Sequence, residues 1–184
     1  MANRCIDTIW VQFDRKLFAA AEISDRKVVG VADIDVAYVP TPKDILRRML
    51  NLAGLRPGEV LFDLGAGDGR VMIEAVRGFR AKAVGVEIDP ERVRRIRERL
   101  VSTGTSAELI EGDLLEVDLS SADVISIYLS NSVNAKLAPK LKRELKKGAR
   151  VVSLDYSLPG WTETRELTVN TSGLSRKVYL YENK

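Results

Sequence analysis

From Glu59 onward the chain alternates short apolar runs with stretches of helical pattern. The runs are Val60-Leu61-Phe62, Ala83-Val84-Gly85-Val86, Leu109-Ile110, Val124-Ile125-Ser126-Ile127-Tyr128 and Arg150 to Leu154. Strands separated by helices are joined through right-handed crossovers, which makes them members of a mostly parallel sheet covered on both faces. Two later segments, Glu163–Val169 and Ser175–Tyr181, are rich in strand formers and flank Thr171-Ser172-Gly173, the pattern of a hairpin. The expected fold is therefore α/β: a doubly wound, mostly parallel seven-stranded sheet with an antiparallel C-terminal hairpin. Helix starts are marked twice by a capping residue and a proline. Thr41-Pro42 predicts a helix running to Gly54 with Ile45, Met49 and Leu52 inward, and Asp89-Pro90 predicts another.

The first 36 residues stand apart from this alternation. Ile6, Trp10, Phe13, Leu17 and Ala20 draw one stripe on an amphipathic helix, and Val28 to Tyr38 reads as extended. Residues 1–36 are expected as an N-terminal helix and extended segment packed over the functional face of the rest of the chain or against another subunit, with residues 37–184 as the main domain. At 184 residues and 45% hydrophobic content, the chain is one domain's worth and needs no covalent staples.

Composition narrows the chemistry. With no histidine and a single cysteine, Cys5, no Ser-His-Asp triad, HExxH site or CxxC zinc site can be built. The longest uncharged run, Val124 to Ala135, falls short of the ~18 residues of a membrane-spanning helix, and a lone cysteine fits a reducing compartment. A soluble cytoplasmic protein without a membrane partner is the expectation. The net charge of +3 permits nucleic-acid binding without favouring it.

The strongest chemical signal is Asp63-Leu64-Gly65-Ala66-Gly67-Asp68-Gly69, set between a strand and a helix. Gly65, Gly67 and Gly69 let backbone approach a ligand, and Asp63 ends a strand beside the crevice where open α/β sheets bind ligands. A dinucleotide fingerprint needs a small residue where Arg70 stands, which argues against NAD. Glu87 ends the second strand, where a carboxylate can accept both ribose hydroxyls. Asp113, after the third strand, is placed to accept from an adenine amino group, although Asp in such a loop also serves local turns.

At these points the sequence resembles the class I, seven-strand S-adenosylmethionine-dependent methyltransferases. A narrower resemblance lies in Tyr38-Val39-Pro40-Thr41-Pro42, Asp63 to Arg70, Leu137-Ala138-Pro139-Lys140-Leu141, Gly148 to Ser153 and Val178-Tyr179-Leu180-Tyr181. Together these look like the archaeal broad-specificity protein-lysine methyltransferases and their mitochondrial relatives. The resemblance covers residues 40–184 and implies S-adenosyl-L-methionine as cofactor, protein substrates presenting lysine, and metal-independent SN2 displacement at a methyl already activated by a sulfonium. An RNA or small-molecule methyltransferase would share the same donor site. A non-catalytic S-adenosylmethionine-sensing protein is the reading of another class, and it would be favoured by a disrupted glycine loop; here the loop is intact.

After the fourth strand, amino-methylating enzymes of nucleic acids in this superfamily usually carry an acid or amide followed by Pro-Pro and an aromatic. This chain reads Tyr128-Leu129-Ser130-Asn131-Ser132, which makes a base acceptor a poorer fit. Tyr38, Tyr128 and Asn131 are the candidates for a lysine channel, with Asp155 as an acid that attracts the amine. Two readings of Asn131 stand, orienting the amine or capping the following helix. Trp161 and Tyr156 are either core residues or channel walls. Arg92, Arg94, Arg95 and Arg99 read as a solvated helix face opposite Val93, Ile96 and Leu100.

Overall fold

The computed structural model describes residues 40–171 and 173–184. Tyr38 and the expected helix and extended segment of residues 1–36 lie outside the described residues. In chain order the elements are α1 (Lys43–Leu52), β1 (Val60–Leu64), α2 (Arg70–Phe79), β2 (Lys82–Glu87), α3 (Pro90–Ser102), β3 (Glu108–Glu111), β4 (Val124–Ile127), α4 (Asn131–Glu144), β5 (Arg150–Leu154), β6 (Arg165–Thr171) and β7 (Leu174–Glu182).

The strands form a 7-stranded sheet in the order β3-β2-β1-β4-β5-β7-β6. β3, β2, β1, β4 and β5 pair in parallel, whereas β7 pairs antiparallel with both β5 and β6. The expected doubly wound sheet and hairpin are both present. The hairpin's last strand inserts beside β5 and leaves β6 on the edge, a placement that strand periodicity does not encode.

Alternation along each strand divides the core into two layers. Leu61, Val124, Val152, Leu154 and Val178 face α1, α2 and α3, through partners such as Ile45, Met49, Met72 and Ile96. Phe62, Leu64, Ile125, Ile127, Val151 and Tyr181 face the other way, against Leu137 and Leu141 of α4. Each such aliphatic side chain contributes about 1.5–3 kcal/mol of transfer free energy when fully buried.

The helix starts differ in their chemistry. At α3, Asp89 Oδ1 accepts from the N–H of Glu91 at 2.9 Å with Pro90 behind it, as the sequence predicts. At α1 the cap position is Pro42, without a side-chain cap, so Thr41 does not cap this helix. Its carbonyl instead receives Arg70 Nη1 at 2.7 Å. Along α1, Ile45, Leu46, Met49 and Leu50 are the buried residues, and Leu52 is only partly buried.

Gly85 in β2 is a packing glycine. A Cβ there would run into Met72 Sδ on α2 and stand 3.1 Å from Ala66 Cβ. Gly85→Ala is expected to lower the unfolding free energy by about 1–3 kcal/mol through overpacking. Urea denaturation measures this, and an unchanged midpoint would show that Met72 moves aside freely.

Candidate active site

The glycine loop joins β1 to α2 at the carboxyl edge of the sheet. Gly65, Gly67 and Gly69 have φ of 82°, 60° and 74°, the left-handed region that side chains disfavour. Space is also short at Gly65, where a Cβ would lie 3.0 Å from Leu129 Cδ2. The loop is tied down from behind: the N–H groups of Gly65 and Ala66 each donate to Val86 O at 2.9 Å.

Two predicted carboxylates meet behind this loop. Glu87, at the end of β2, is only 4% exposed. Its Oε2 accepts from Gly67 N at 2.8 Å, and Oε1 accepts from the N–H groups of Ile88 and Asp89 at 3.1 Å each. Arg92 Nη1 approaches Oε1 at 3.8 Å. Asp63, at the end region of β1, is equally buried and sits opposite Ser126 in the β1–β4 register. Burial pushes its carboxyl up to about 8; a hydrogen bond with Ser126 opposes the shift, and the nearby charges of Asp68 and Glu87 add to it.

Asp113 is brought to the same edge but is exposed, and its Oδ1 accepts from Leu115 N at 2.8 Å in a local turn. The ends of β1, β2 and β3 therefore place three carboxyl groups at one edge of the sheet, those of Asp63 and Glu87 buried and that of Asp113 exposed.

Asp68, within the loop, has a different role. Arg70 Nε and Nη2 grip its two carboxylate oxygens at 2.8 and 2.7 Å, and Arg99 Nη1 reaches Oδ2 at 2.6 Å. Burial would raise this carboxyl, but the hydrogen bonds and charges of the two arginines outweigh it and hold it at about 2. Arg99 thus leaves the solvated face expected of it, whereas Arg94 and Arg95 do stay there, paired with Glu91.

Among the described residues, the remaining candidates lie on the other side of the β1–β4 reversal. Asn131 is the exposed first residue of α4, and the N-cap is Ser130, whose Oγ accepts from Val133 N at 3.4 Å. The capping reading of Asn131 is therefore replaced by Ser130. Tyr128 is half-buried, and its hydroxyl accepts a hydrogen bond from Arg176 Nη2 of β7. Asp155 follows β5 with φ of 61°, and its Oδ2 pairs with Arg176 Nε at 2.8 Å. Tyr156 stacks on Tyr128 with ring centroids 6.4 Å apart, whereas Trp161 turns to α4, donating Nε1–H to Ala138 O at 3.1 Å.

Comparison with known proteins places this arrangement. The family model described as the ANTKMT methyltransferase domain matches residues 63–165. A protein-lysine N-methyltransferase of Saccharolobus islandicus is 42% identical over 149 residues, 79% of this chain and 92% of that protein. The chain belongs to this methyltransferase family. The adenine nucleotide translocase lysine N-methyltransferase of Mus musculus is 36% identical over 70% of this chain, which spans only 56% of that relative. A crystal structure of an RNA methyltransferase from Salinibacter ruber in complex with S-adenosyl-L-homocysteine is 43% identical, with a TM-score of 0.73 over 79% of this chain and 94% of that one.

Sequence reasoning on this methyltransferase missed Arg176, Arg99 and Asn134. Asn134 is fully buried on α4, and its Nδ2 donates to the carbonyls of Tyr156 and Ser157 at 3.3 and 3.2 Å, fixing the loop after β5. A polar residue among the buried positions of an amphipathic helix was the available signal. For Arg176, in a strand of mixed polarity, no spacing marks it out.

Asp63 generates a pH prediction. The folded state keeps this proton up to about pH 8, while the unfolded chain releases it near the ordinary value of 3.8. A raised carboxyl favours the folded state fully only below the unfolded value, and that contribution is lost as pH rises toward 8. Asp63→Asn is expected to flatten the decline of the melting temperature between about pH 5 and 8. Thermal melts across that range test it; an unchanged slope would show that ionisation of Asp63 is not what weakens the fold.

Proposed function

We propose that this methyltransferase transfers a methyl group from S-adenosylmethionine to lysine ε-amino groups of protein substrates. The observation that carries the reading is the sheet edge itself. Buried Asp63 and Glu87 stand behind the glycine loop on one side of the strand-order reversal, and a Tyr128-Leu129-Ser130-Asn131 turn stands on the other. The ammonium, ribose diol and adenine amine of the donor are all hydrogen-bond donors, which suits acceptors on β1, β2 and β3. Asp63, Gly65, Gly67, Gly69, Glu87 and Asp113 are assigned to hold it. When bound, S-adenosylmethionine supplies a methyl made electrophilic by its sulfonium.

The chain's own task is to present a neutral amine in line with that methyl. A lysine with a pKa near 10.4 loses its proton at pH 7 at a cost of about 4.6 kcal/mol. A narrow, partly apolar channel reduces that cost by disfavouring the ammonium, and alignment removes much of the entropic barrier. Tyr38, Tyr128 and Asn131 are assigned to the channel. The lysine acceptor is supported by identity to the Saccharolobus enzyme along nearly its whole length. A cytoplasmic setting belongs to the same reading, since a single cysteine fits a reducing compartment.

A second reading, RNA methylation, is favoured by the similar identity to the Salinibacter enzyme. Against it stands the turn after β4, which lacks the Pro-Pro-aromatic segment usual for base methylation. Incubating the protein with labelled donor and a cell lysate, then treating with nuclease or protease, separates the two. Label lost to protease and resistant to nuclease is expected; the reverse would move the assignment to RNA.

Donor binding and turnover should also separate by residue. Glu87→Ala is expected to weaken donor affinity by about 1.5–3 kcal/mol in calorimetry, the range for hydrogen bonds to a charged group. Asn131→Ala is expected to leave that affinity unchanged while slowing single-turnover methylation of a lysine-rich protein by roughly ten- to a thousandfold. Parental turnover in Asn131→Ala would remove this residue from the acceptor site.

A further inference from the structure

The acceptor side contains a group that the reading above leaves unused. Arg176 projects from β7 between the ends of β4 and β5, with its side chain 18% exposed. Its Nη2 donates to the Tyr128 hydroxyl, its guanidinium carbon lies 5.3 Å from the centre of the Tyr128 ring, and its Nε lies 2.8 Å from Asp155 Oδ2. That last contact is off the N–H direction, so it is an ion pair rather than an aligned hydrogen bond.

Asp155 is correspondingly committed. Besides Arg176, its Oδ1 accepts from Lys177 N at 3.2 Å, and its own N–H donates to Lys177 O at 2.7 Å. These bonds hold a non-glycine residue at φ of 61°, a conformation that persists only where surroundings impose it. A carboxylate matched in this way is a poor lure for a second cation. The Tyr128 oxygen is different: with Arg176 donating to it, the oxygen keeps one lone pair and its own proton for another partner.

We propose that Arg176 is the positioning residue of the acceptor site, orienting the Tyr128 hydroxyl toward the amine, and that Asp155 acts only through Arg176. This rests on the reading of the protein as an amine methyltransferase. Arginine suits the role because its planar fork reaches the phenol and the carboxylate at once, whereas a lysine ammonium is a single point of charge. Tyr156, stacked on Tyr128 and held at its carbonyl by Ser153 Oγ and Asn134 Nδ2, backs the tyrosine ring.

The test is a double-mutant cycle on the full chain with a lysine-rich protein acceptor, reading kcat, acceptor KM and donor Kd separately. Arg176→Met and Tyr128→Phe are each expected to lower kcat about ten- to a hundredfold, with donor Kd within about twofold. The double variant should lose no more than the worse single one, because both remove the same oriented hydroxyl. Arg176→Lys, which keeps the charge beside Asp155, should recover the parental melting temperature but not the parental kcat. Asp155→Asn should change kcat in the parental background and have no further effect in Arg176→Met. Multiplying losses in the double variant, or parental kcat in Arg176→Lys, would overturn the proposal. Parental turnover in the same assay tests the amine-methyltransferase reading separately.

Discussion

β1 pairs in parallel with β2 on one side and β4 on the other, and the site depends on that arrangement. Leu64 is level with Val86 across one ladder and with Ile127 across the other, so three strands deliver their following residues to one edge at one height. The connections after β1 and β4 leave toward opposite faces, because α2 packs in one layer and α4 in the other. A crevice opens between them by geometry, without any special residue. What the sequence adds is chemistry at that height: Asp63 and Glu87 on one side, Tyr128 and Asn131 on the other.

The two sides are electrostatically unlike. On the β1–β2 side the carboxylates are buried and satisfied by backbone N–H groups or by retaining a proton. Glu87 accepts from Gly67, Ile88 and Asp89, while Asp63 is driven toward neutrality by burial. On the β4–β5 side the ionic groups are side chains matched to one another, Asp155 against Arg176. Asp68 links the glycine loop to more distant structure through Arg70 and Arg99, and Arg70 continues to the Thr41 carbonyl before α1. The loop's shape is thus held by charge-assisted hydrogen bonds as well as by glycine, and these are about twice as strong as neutral ones.

Much of this was legible before any coordinate. The strand segments were readable because parallel strands buried on both faces show as short apolar runs, and the α3 start because Asp89-Pro90 satisfies a cap by local chemistry alone. Gly65, Gly67 and Gly69 were readable for the same reason: a backbone that must turn at positive φ leaves a compositional mark. Thr41 misled as a cap, and the capping alternative for Asn131 fell, because one residue's displacement gives the cap position to a neighbour, Pro42 in one case and Ser130 in the other. Nothing local distinguishes those registers.

Sequence by itself determined the alternation of strand and helix, the glycine loop, and the acidic residues at the ends of β1 and β2. All are set by interactions spanning a few neighbouring residues. Only the tertiary structure decided that β7 inserts beside β5, since pairing partners are chosen by the whole sheet's packing and not by either strand's pattern. That insertion carries Arg176 to Tyr128 and Asp155, far from it in the chain, and turns a carboxylate that reads as free into one already paired. Long-range charge pairing leaves no periodic trace in sequence, because its geometry exists only once separate strands are side by side.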